Sequence, residues 1–360
     1  MEPNAVVQSS AFSSDALLGT PPVSILLVNF NGACFLPPCL DSLAPLAAGQ
    51  CEVLVVDNAS SDNSLEVLRS FPWVKVVRSE TNLGFAGGNN LGLTHCSGEY
   101  VLLLNNDTVV NGDFLGVLCR YLSAHPEVAV VQGKMVLPRF GNALDVCGSF
   151  LTPFGFPYHY GIYKPDGPKY ARNYPVFSAK GACLMFRRGI IPKVGGFLFE
   201  EDFFCYYEES DFCHRAWLAG FEVHFVNTPP IDHLMGGTAG GPHAAFVLRH
   251  YLRNMSWSLL ANLSLKSRIR ILPLFFGMLG LAMAGSVLKL DWERFSAHCG
   301  ALEHCASNYG KIRTRRKLIK KLRRQPDTLL FEKVLRRPRL DYFFKSFTGN
   351  LAAYLDDELP

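Results

Sequence analysis

The chain has 360 residues, 49% of them hydrophobic and 18% charged. At about 150 residues per domain, that length allows two or three domains and a large core. Long disorder is excluded, because it needs low hydrophobicity. The 31 Gly and 22 Pro follow no period, which excludes collagen-like and coiled-coil composition. Residues 1–240 carry 14 Lys+Arg against 22 Asp+Glu, and residues 241–360 carry 21 against 9. An acidic body with a basic tail suggests two jobs, the tail meeting phosphate in nucleic acid or at an anionic membrane. Eleven Cys make no CxxC and fit no zinc spacing, so they read as small core residues of a reducing compartment.

Residues 1–20 are polar and small, lack the basic start and apolar run of a secretory signal, and read as a flexible extension. From Pro21 to about Val131 short apolar runs alternate with helical stretches. The predicted strands are Val23–Val28, Val53–Val56, Val74–Val77, Tyr100–Leu104 and Val128–Val131, with few polar residues, as in strands buried on both faces. The predicted helices are Phe35–Leu46, Ser64–Ser70, Gly87–His95 and Phe114–His125, with Asp62 and Asp113 as N-caps of the second and fourth. This alternation predicts an α/β fold with a parallel, doubly wound sheet and ligands at the carboxyl ends of its strands. Residues 132–180 carry little periodicity and read as a long excursion. A strand (Gly181–Phe186), a helix (Glu209–Ala219) and a strand (Phe221–Val226) follow, and from His250 the pattern is helical.

Five stretches carry chemistry. In VVDNASSDNS (55–64), Asp57 ends a buried strand, where a carboxylate can accept from a ribose hydroxyl or a base N–H, or merely cap a turn. In NLGFAGGNNLG (82–92), Gly84, Gly87 and Gly88 open a helix among Asn82, Asn89 and Asn90. Such a start suits a phosphate or another polar group, though any helix start can use Gly. In YVLLLNNDT (100–108), an apolar strand emerges into Asn105, Asn106 and Asp107. Asp107 is placed to hold a divalent cation carrying a diphosphate, or to cap a loop. In the aromatic-rich stretch 195–221, Glu208, Glu209 and Asp211 start a helix, whose dipole favours negative charge. The functional alternative is a general base whose pKa is raised by desolvation. Asp211 can pair with Arg215 at i,i+4, which makes it the structural member of the three. His233 follows a strand and precedes a Gly-rich loop; with Asp107 it becomes a candidate second ligand of a Mn²⁺-type site.

VSILLVNFNG, VLVVDNASSDNS, NLGFAGGNNLGL, YVLLLNNDT, GACLMFRR, YYEESDFCHRAWLAGFEV and HLMGGT occur in the order of glycosyltransferase family 2, over roughly residues 21–255. The chain most resembles the family's rhamnosyltransferase-like branch. The resemblance implies a GT-A fold with a mixed sheet. It implies an inverting, metal-dependent transfer of a sugar, rhamnose in that branch, from a nucleotide-diphosphate donor to a cell-envelope polysaccharide or lipid-linked glycan. Asn29, Asn31, Asp57, Asn82, Gly84, Asn90 and Asn106 would lie on the donor side. Asp107 and His233 would hold Mg²⁺ or Mn²⁺, and Glu209 would be the base with Glu208 beside it. Gly181, Ala182 and Asp211 would lie on the acceptor side. Three features depart from the family pattern. Asn105 replaces the first Asp of the Asp-x-Asp-type motif, the base is Glu rather than Asp, and Leu198 and Phe199 are extra. Two alternatives remain at this point: a polyprenyl-phosphate sugar synthase, and a degenerate nucleotide-binding scaffold.

The tail, residues 256–360, is predicted to be helical, basic and membrane-associating. Ile271–Leu288 runs 18 residues without a charge, and Lys311–Arg324 holds nine basic residues in fourteen. Cationic residues on both sides of the apolar run favour an in-plane or re-entrant anchor over a span, with the basic run on anionic lipid at the inner, cytoplasmic face of the membrane. The run has no aromatic residue for base stacking, so nucleic acid is not expected as a partner.

Overall fold

The structure is a computed structural model that describes residues 22–49, 51–234, 244–347, 350–356 and 359. The expected extension 1–20 and the segment 235–238 of the last motif lie outside these residues.

Strands β1 (Val23–Asn29), β2 (Glu52–Asn58) and β4 (Tyr100–Leu104) form the sheet's buried centre. Their side chains alternate between two layers, as a pleated strand requires. Ile25, Leu27, Val53, Val55 and Leu102 pack with α1 (Leu36–Ala48) and α4 (Phe114–Ala124). Leu26, Leu54, Val56 and Leu103 face α3 (Gly84–Leu93) and α5 (Glu208–Leu218). The edge strand β3 (Lys75–Ser79) departs from the expected two-sided burial: nothing flanks its outer side in the sheet, and Val76 is 38% exposed.

The large sheet has eight strands in the order β11–β13–β6–β12–β4–β1–β2–β3. The further members are β6 (Val128–Gln132), β11 (Tyr174–Pro175), β12 (Cys183–Arg187) and β13 (Glu222–Phe225). Neighbours among β1 to β4 pair in parallel, but β12 runs antiparallel between β4 and β6. The sheet is therefore mixed. The inserted strand brings Gly181 and Ala182 to the carboxyl end of β4, where the Asn105 N–H donates to the Ala182 carbonyl at 3.1 Å.

The stretch 132–180 is more ordered than its sequence suggests. A second sheet has the order β5–β14–β7–β8, from β5 (Thr108–Val109), β7 (Met135–Leu137), β8 (Ala143–Leu144) and β14 (Ile231–His233). A hairpin joins β9 (Ser149–Leu151) to β10 (Pro157–His159). Strands of two or three residues are too short for an alternation to register.

Two cap expectations change. Asp113 occupies the N-cap of α4, but its carboxylate pairs with Arg120 at 2.6 Å instead of capping. Asn63, not Asp62, is the N-cap of α2 (Ser64–Arg69); Asp62 accepts from the Ser64 N–H at 3.0 Å and the Ala33 N–H at 3.0 Å. Helix α3 starts three residues before the expected Gly87, because the Asn82 side chain accepts from the Gly84 N–H at 2.8 Å.

The C-terminal region comprises α6 (Ala244–Asn262), α7 (Leu265–Leu288), α8 (Trp292–Ser307), α9 (Tyr309–Leu322), α10 (Asp327–Val334) and α11 (Leu340–Phe347). Helix α6 packs along α8 and α9 and against α5. The basic run is in part a structural seam. Arg315 and Ile319 of α9 point inward, and Lys311, Arg316 and Arg323 bind Asp202, the Leu260 carbonyl and Asp327. Among the described residues, α7 is the helix long and apolar enough to cross a membrane, with a mean hydropathy of 2.1 over its best 18 residues, of which 22% are buried.

Candidate functional site

The parallel register sets Asn29 beside Asp57 at the carboxyl edge of the sheet. The loops that follow are stitched together: the Asn31 carbonyl oxygen Oδ1 accepts from the Ser61 N–H at 2.7 Å, and Asn29 Nδ2 donates to Ser60 Oγ at 3.2 Å. Asn31 holds φ +50° in this turn. Asn106 Nδ2 donates to Asn29 Oδ1 at 2.7 Å, and Ser60 Oγ links Asn29 to the Asn31 N–H, from which it accepts at 3.0 Å. A Cβ on Gly32 would stand 2.3 Å from Asn106 Nδ2, so the backbone can approach this closely only as glycine. Asp57 is 1% exposed, and among the described residues its Oδ1 has no hydrogen-bond partner. Buried polar atoms are normally satisfied, so this oxygen fits a ligand donor.

Asn82, Gly84 and Asn90 are engaged differently from the donor contacts expected of them. Asn58 donates to Asn82 Oδ1 and to the Gly84 carbonyl, both at 3.0 Å. Gly84 has φ +70°, and a Cβ there would meet the Phe204 carbonyl at 2.2 Å. Asn90 Nδ2 donates to the Phe199 carbonyl and its Oδ1 accepts from the Phe199 N–H, both at 2.9 Å. These residues strap the 199–204 loop to α3. That gives the extra residues Leu198 and Phe199 a place: both are buried, with the Phe199 ring stacked on Phe85.

Short-strand pairing explains how Asp107 meets His233. Strand β14 pairs antiparallel with β5 in the register His233↔Thr108, and the Leu234 N–H donates to the Asp107 carbonyl at 2.8 Å. His233 Nε2 then lies 3.5 Å from Asp107 Oδ1, and its Nδ1 lies 2.7 Å from Asp145 Oδ2. Asp145 also pairs with Lys180, the residue before Gly181. Burial alone would lower the His233 pKa, but the bonds to Asp107 and Asp145 outweigh it and raise it. For Asp145, burial raises the pKa and the Lys180 and His233 charges more than reverse this, keeping it ionised. Sequence reasoning missed Asp145 and Lys180. Neither stands in a strand-end motif; each reaches the site through a hairpin or a turn.

Glu209 is half-buried on the first turn of α5. Gly181 is its neighbour: a Cβ on Gly181 would lie 3.8 Å from Glu209 Cβ and 3.3 Å from the Phe85 ring. Burial raises the Glu209 pKa, opposed by hydrogen bonds to its backbone and Ser210 and by the Lys180 charge. Glu208 is 3% exposed, and burial together with the Glu209 charge pushes its pKa further up. The preceding loop holds Phe204, Tyr206 and Tyr207 at φ +62°, +67° and +73°. Such left-handed backbone costs free energy unless the surroundings over-determine it. Asn254 of α6 does so, its Nδ2 reaching the Phe203, Cys205 and Tyr206 carbonyls at 3.0, 2.9 and 2.7 Å. Asp211, expected on the acceptor side, is engaged by the protein itself. Its carboxylate accepts from Arg215 Nε (2.9 Å), Arg315 Nη2 (3.3 Å), Ser258 Oγ (2.9 Å) and Asn262 Nδ2 (2.8 Å), away from Gly181 and within the seam of α5, α6 and α9.

Among the described residues no cluster of three or more His, Cys, Asp and Glu has metal-site geometry. The residues present still fit a substrate-borne Mg²⁺ or Mn²⁺, which takes one or two protein ligands and completes its shell with phosphate oxygens and water. Asp107 offers a carboxylate. Asp145 accepting from Nδ1–H of His233 fixes the tautomer that leaves Nε2 for a metal.

This architecture is the GT-A fold. Over 91% of this chain and 58% of the other, it superposes on a crystal structure of GalNAc-T7 with UDP, GalNAc and Mn²⁺ with a TM-score of 0.61 and 16% identity. Over 84% of this chain and 85% of the other, it superposes on the mannosyltransferase PcManGT of Pyrobaculum calidifontis in complex with GDP-Man and Mn²⁺, with a TM-score of 0.50 and 18% identity. At these identities the likeness establishes the fold. The sequence model of glycosyl transferase family 2 matches residues 24–195. The low-salt glycan biosynthesis hexosyltransferase Agl10 of Haloferax volcanii is 30% identical over 200 residues, 54% of this chain and 61% of its own length. The chain is thus similar to glycosyltransferase family 2 over residues 24–195, and it spans about three fifths of that relative. The match does not extend to a rhamnosyltransferase-like branch.

Proposed function

We propose that the chain is an inverting glycosyltransferase that moves a sugar from a nucleoside-diphosphate donor to an acceptor hydroxyl with the help of Mg²⁺ or Mn²⁺. The sugar we favour is rhamnose. The acceptor is a cell-envelope polysaccharide or lipid-linked glycan, met at the cytoplasmic face of the membrane. One observation carries the reading. The insertion of β12 beside β4 gathers the Asp107–His233 pair, Lys180, Gly181 and a half-buried Glu209 at one end of a sheet whose next strands set Asn29 beside Asp57.

Each residue then has a task. Asp57 accepts from the base or ribose, and the Asn29–Asn31–Asn106 edge shapes the floor beneath the nucleotide. When bound, the cation offsets the charge that grows on the diphosphate. Asp107 and His233 would hold it, with Asp145 fixing the imidazole. Glu209 takes the proton of the acceptor hydroxyl as that oxygen bonds to the anomeric carbon. The bond from that carbon to the diphosphate oxygen breaks on the opposite face, and the configuration inverts. Its raised pKa makes Glu209 a better proton acceptor than an exposed carboxylate. Glu208, deeper and harder to ionise, adds no second negative charge beside it.

The test is Glu209→Gln assayed with UDP- and dTDP-sugars. Turnover should be lost, while the Mn²⁺-dependent rise in melting temperature on donor binding remains. Wild-type turnover in this variant overturns the assignment.

A further inference from the structure

A groove of about 870 Å³ lies outside the sheet-edge site, between α6, α7, α8, α11 and the β9–β10 hairpin. Its walls are aliphatic and aromatic, with Leu248, Tyr251, Met278, Ala282 and Phe343 among them. Its rim exposes large apolar side chains: Leu281 is 69%, Leu340 74% and Phe344 70% exposed. Water-facing apolar rims of this kind mark an interaction site. The α7 wall runs from Met278 to Lys289, about 16 Å at 1.5 Å per residue. At the Lys289 end stand Arg294 and Asp291, which pair with each other at 3.4 Å. Lys289, among the described residues, has no carboxylate partner. The groove is therefore a long apolar trough with an uncompensated cation at one end.

Its other wall reaches toward the chemistry. The Tyr251 ring packs edge-on against Tyr207 at 5.6 Å, and Tyr207 immediately precedes Glu208 and Glu209. We propose that this groove takes the hydrocarbon chain of an amphiphilic acceptor, with Lys289 meeting its anionic headgroup. The inference rests on the glycosyltransferase reading above and names its acceptor class as a lipid carrier rather than a free glycan. The occupant follows from the groove's length and apolar lining, the exposed apolar rim through which a chain can enter from a membrane, and the net positive charge that Lys289 leaves at the end.

The experiment measures binding of dodecyl phosphate, below its micelle concentration, to the full-length chain, with dodecanol and inorganic phosphate as separate arms. Gly285 lines the trough, and a Cβ there meets nothing within 4 Å, so Gly285→Phe fills the space without a backbone clash. It should weaken dodecyl phosphate about tenfold or more, as the loss of two or more buried methylenes implies. Ala282→Phe should act likewise. Lys289→Glu should weaken dodecyl phosphate and leave dodecanol unchanged, and inorganic phosphate alone should not bind. If a filling variant fails to fold, hydrogen exchange on the wild type decides: dodecyl phosphate should protect 247–252 and 278–286. No binding, equal binding by the filling variants, absence of that protection, or a dimer that Gly285→Phe dissolves overturns the proposal. Donor binding is measured separately with UDP and dTDP plus Mn²⁺. Its failure faults the glycosyltransferase reading and leaves the groove measurement standing.

Discussion

Glu209 and Asp211 are two residues apart on α5, about 200° around the helix from one another. One faces Gly181 and the other the seam with α6 and α9. Their substitution should therefore separate chemistry from stability. In Asp211→Asn the shape stays, but the charge between Arg215, fully buried, and Arg315, 7% exposed, is gone. An amide nitrogen must also face at least one of four donors. Breaking a buried ion pair from one side costs about 3–5 kcal/mol. The charge alone can be gauged by linkage. The arginines, working against burial, hold the Asp211 pKa down at about 2. Against an unfolded value near 3.9, that is on the order of 2–3 kcal/mol at neutral pH. A depressed carboxylate pKa contributes stability that is fully present above about pH 4 and lost as the pH falls through about 2. The remainder of the cost is the stranded guanidinium groups.

At about 2–4 °C per kcal/mol for a large domain, Asp211→Asn should lower the melting temperature by roughly 10 °C at pH 7. That difference should shrink toward pH 2. Turnover measured well below the melting point should survive. Glu209→Gln should do the reverse: it removes a carboxylate whose charge burial disfavours, so the melting temperature holds or rises while turnover disappears. Differential scanning fluorimetry and a donor-consumption assay on both variants decide the matter. If Asp211→Asn keeps its melting temperature and loses turnover, Asp211 belongs to the acceptor side after all and the reasoning fails.

Three further outcomes follow from the same geometry. Asp145→Ala removes the acceptor on His233 Nδ1 and should weaken Mn²⁺ activation about 10- to 100-fold, read as the Mn²⁺ concentration for half-maximal rate; an unchanged midpoint would separate His233 from the metal. Asn254→Ala frees the three carbonyls that pin the left-handed 203–206 loop. It should increase proteolysis there and lower kcat with little change in donor affinity, whereas intact protection would mean the loop holds itself. The base must be ionised to act, so kcat/KM should rise with pH through a midpoint above the ordinary carboxylate value of about 4.3, set by burial of Glu209. Lys180→Met should move that midpoint upward, because the lysine charge favours the ionised form; a pH–rate profile unmoved by the substitution would take Lys180 out of the site.

The strands that carry the site were legible because each is an apolar run ending abruptly in a polar residue. Leu26 to Asn29, Val53 to Asp57 and Leu102 to Asp107 give the pattern of a buried parallel strand and its carboxyl end. The loop amides were harder. Asn82, Gly84 and Asn90 carry the composition of a ligand-binding turn, and nothing local distinguishes a bond to a phosphate from one to the Phe199 backbone 109 residues away. Asp145 and Lys180 had no signal at all, since their meeting with His233 depends on β14 entering between β5 and β7.

The basic run makes the same point with charge. Nine cations in fourteen residues suggest a solvated lipid-binding face, yet the helical period turns Arg315 and Ile319 inward beside their charged neighbours. Arg315 lies 4.0 Å above the Phe197 ring and 3.3 Å from Asp211, so part of the apparent surface charge answers an acidic residue in the core. Arg313, Lys317, Lys320, Lys321 and Arg324 remain exposed. Within the basic run, attraction to an anionic membrane would come mainly from these, at about 1 kcal/mol per charge near the surface. The partly embedded cations instead fasten the helical region to α5, whose first turn carries Glu209. Helix α9 is thereby tied through Asp211 to the first turn of α5, two residues along the helix from Glu209.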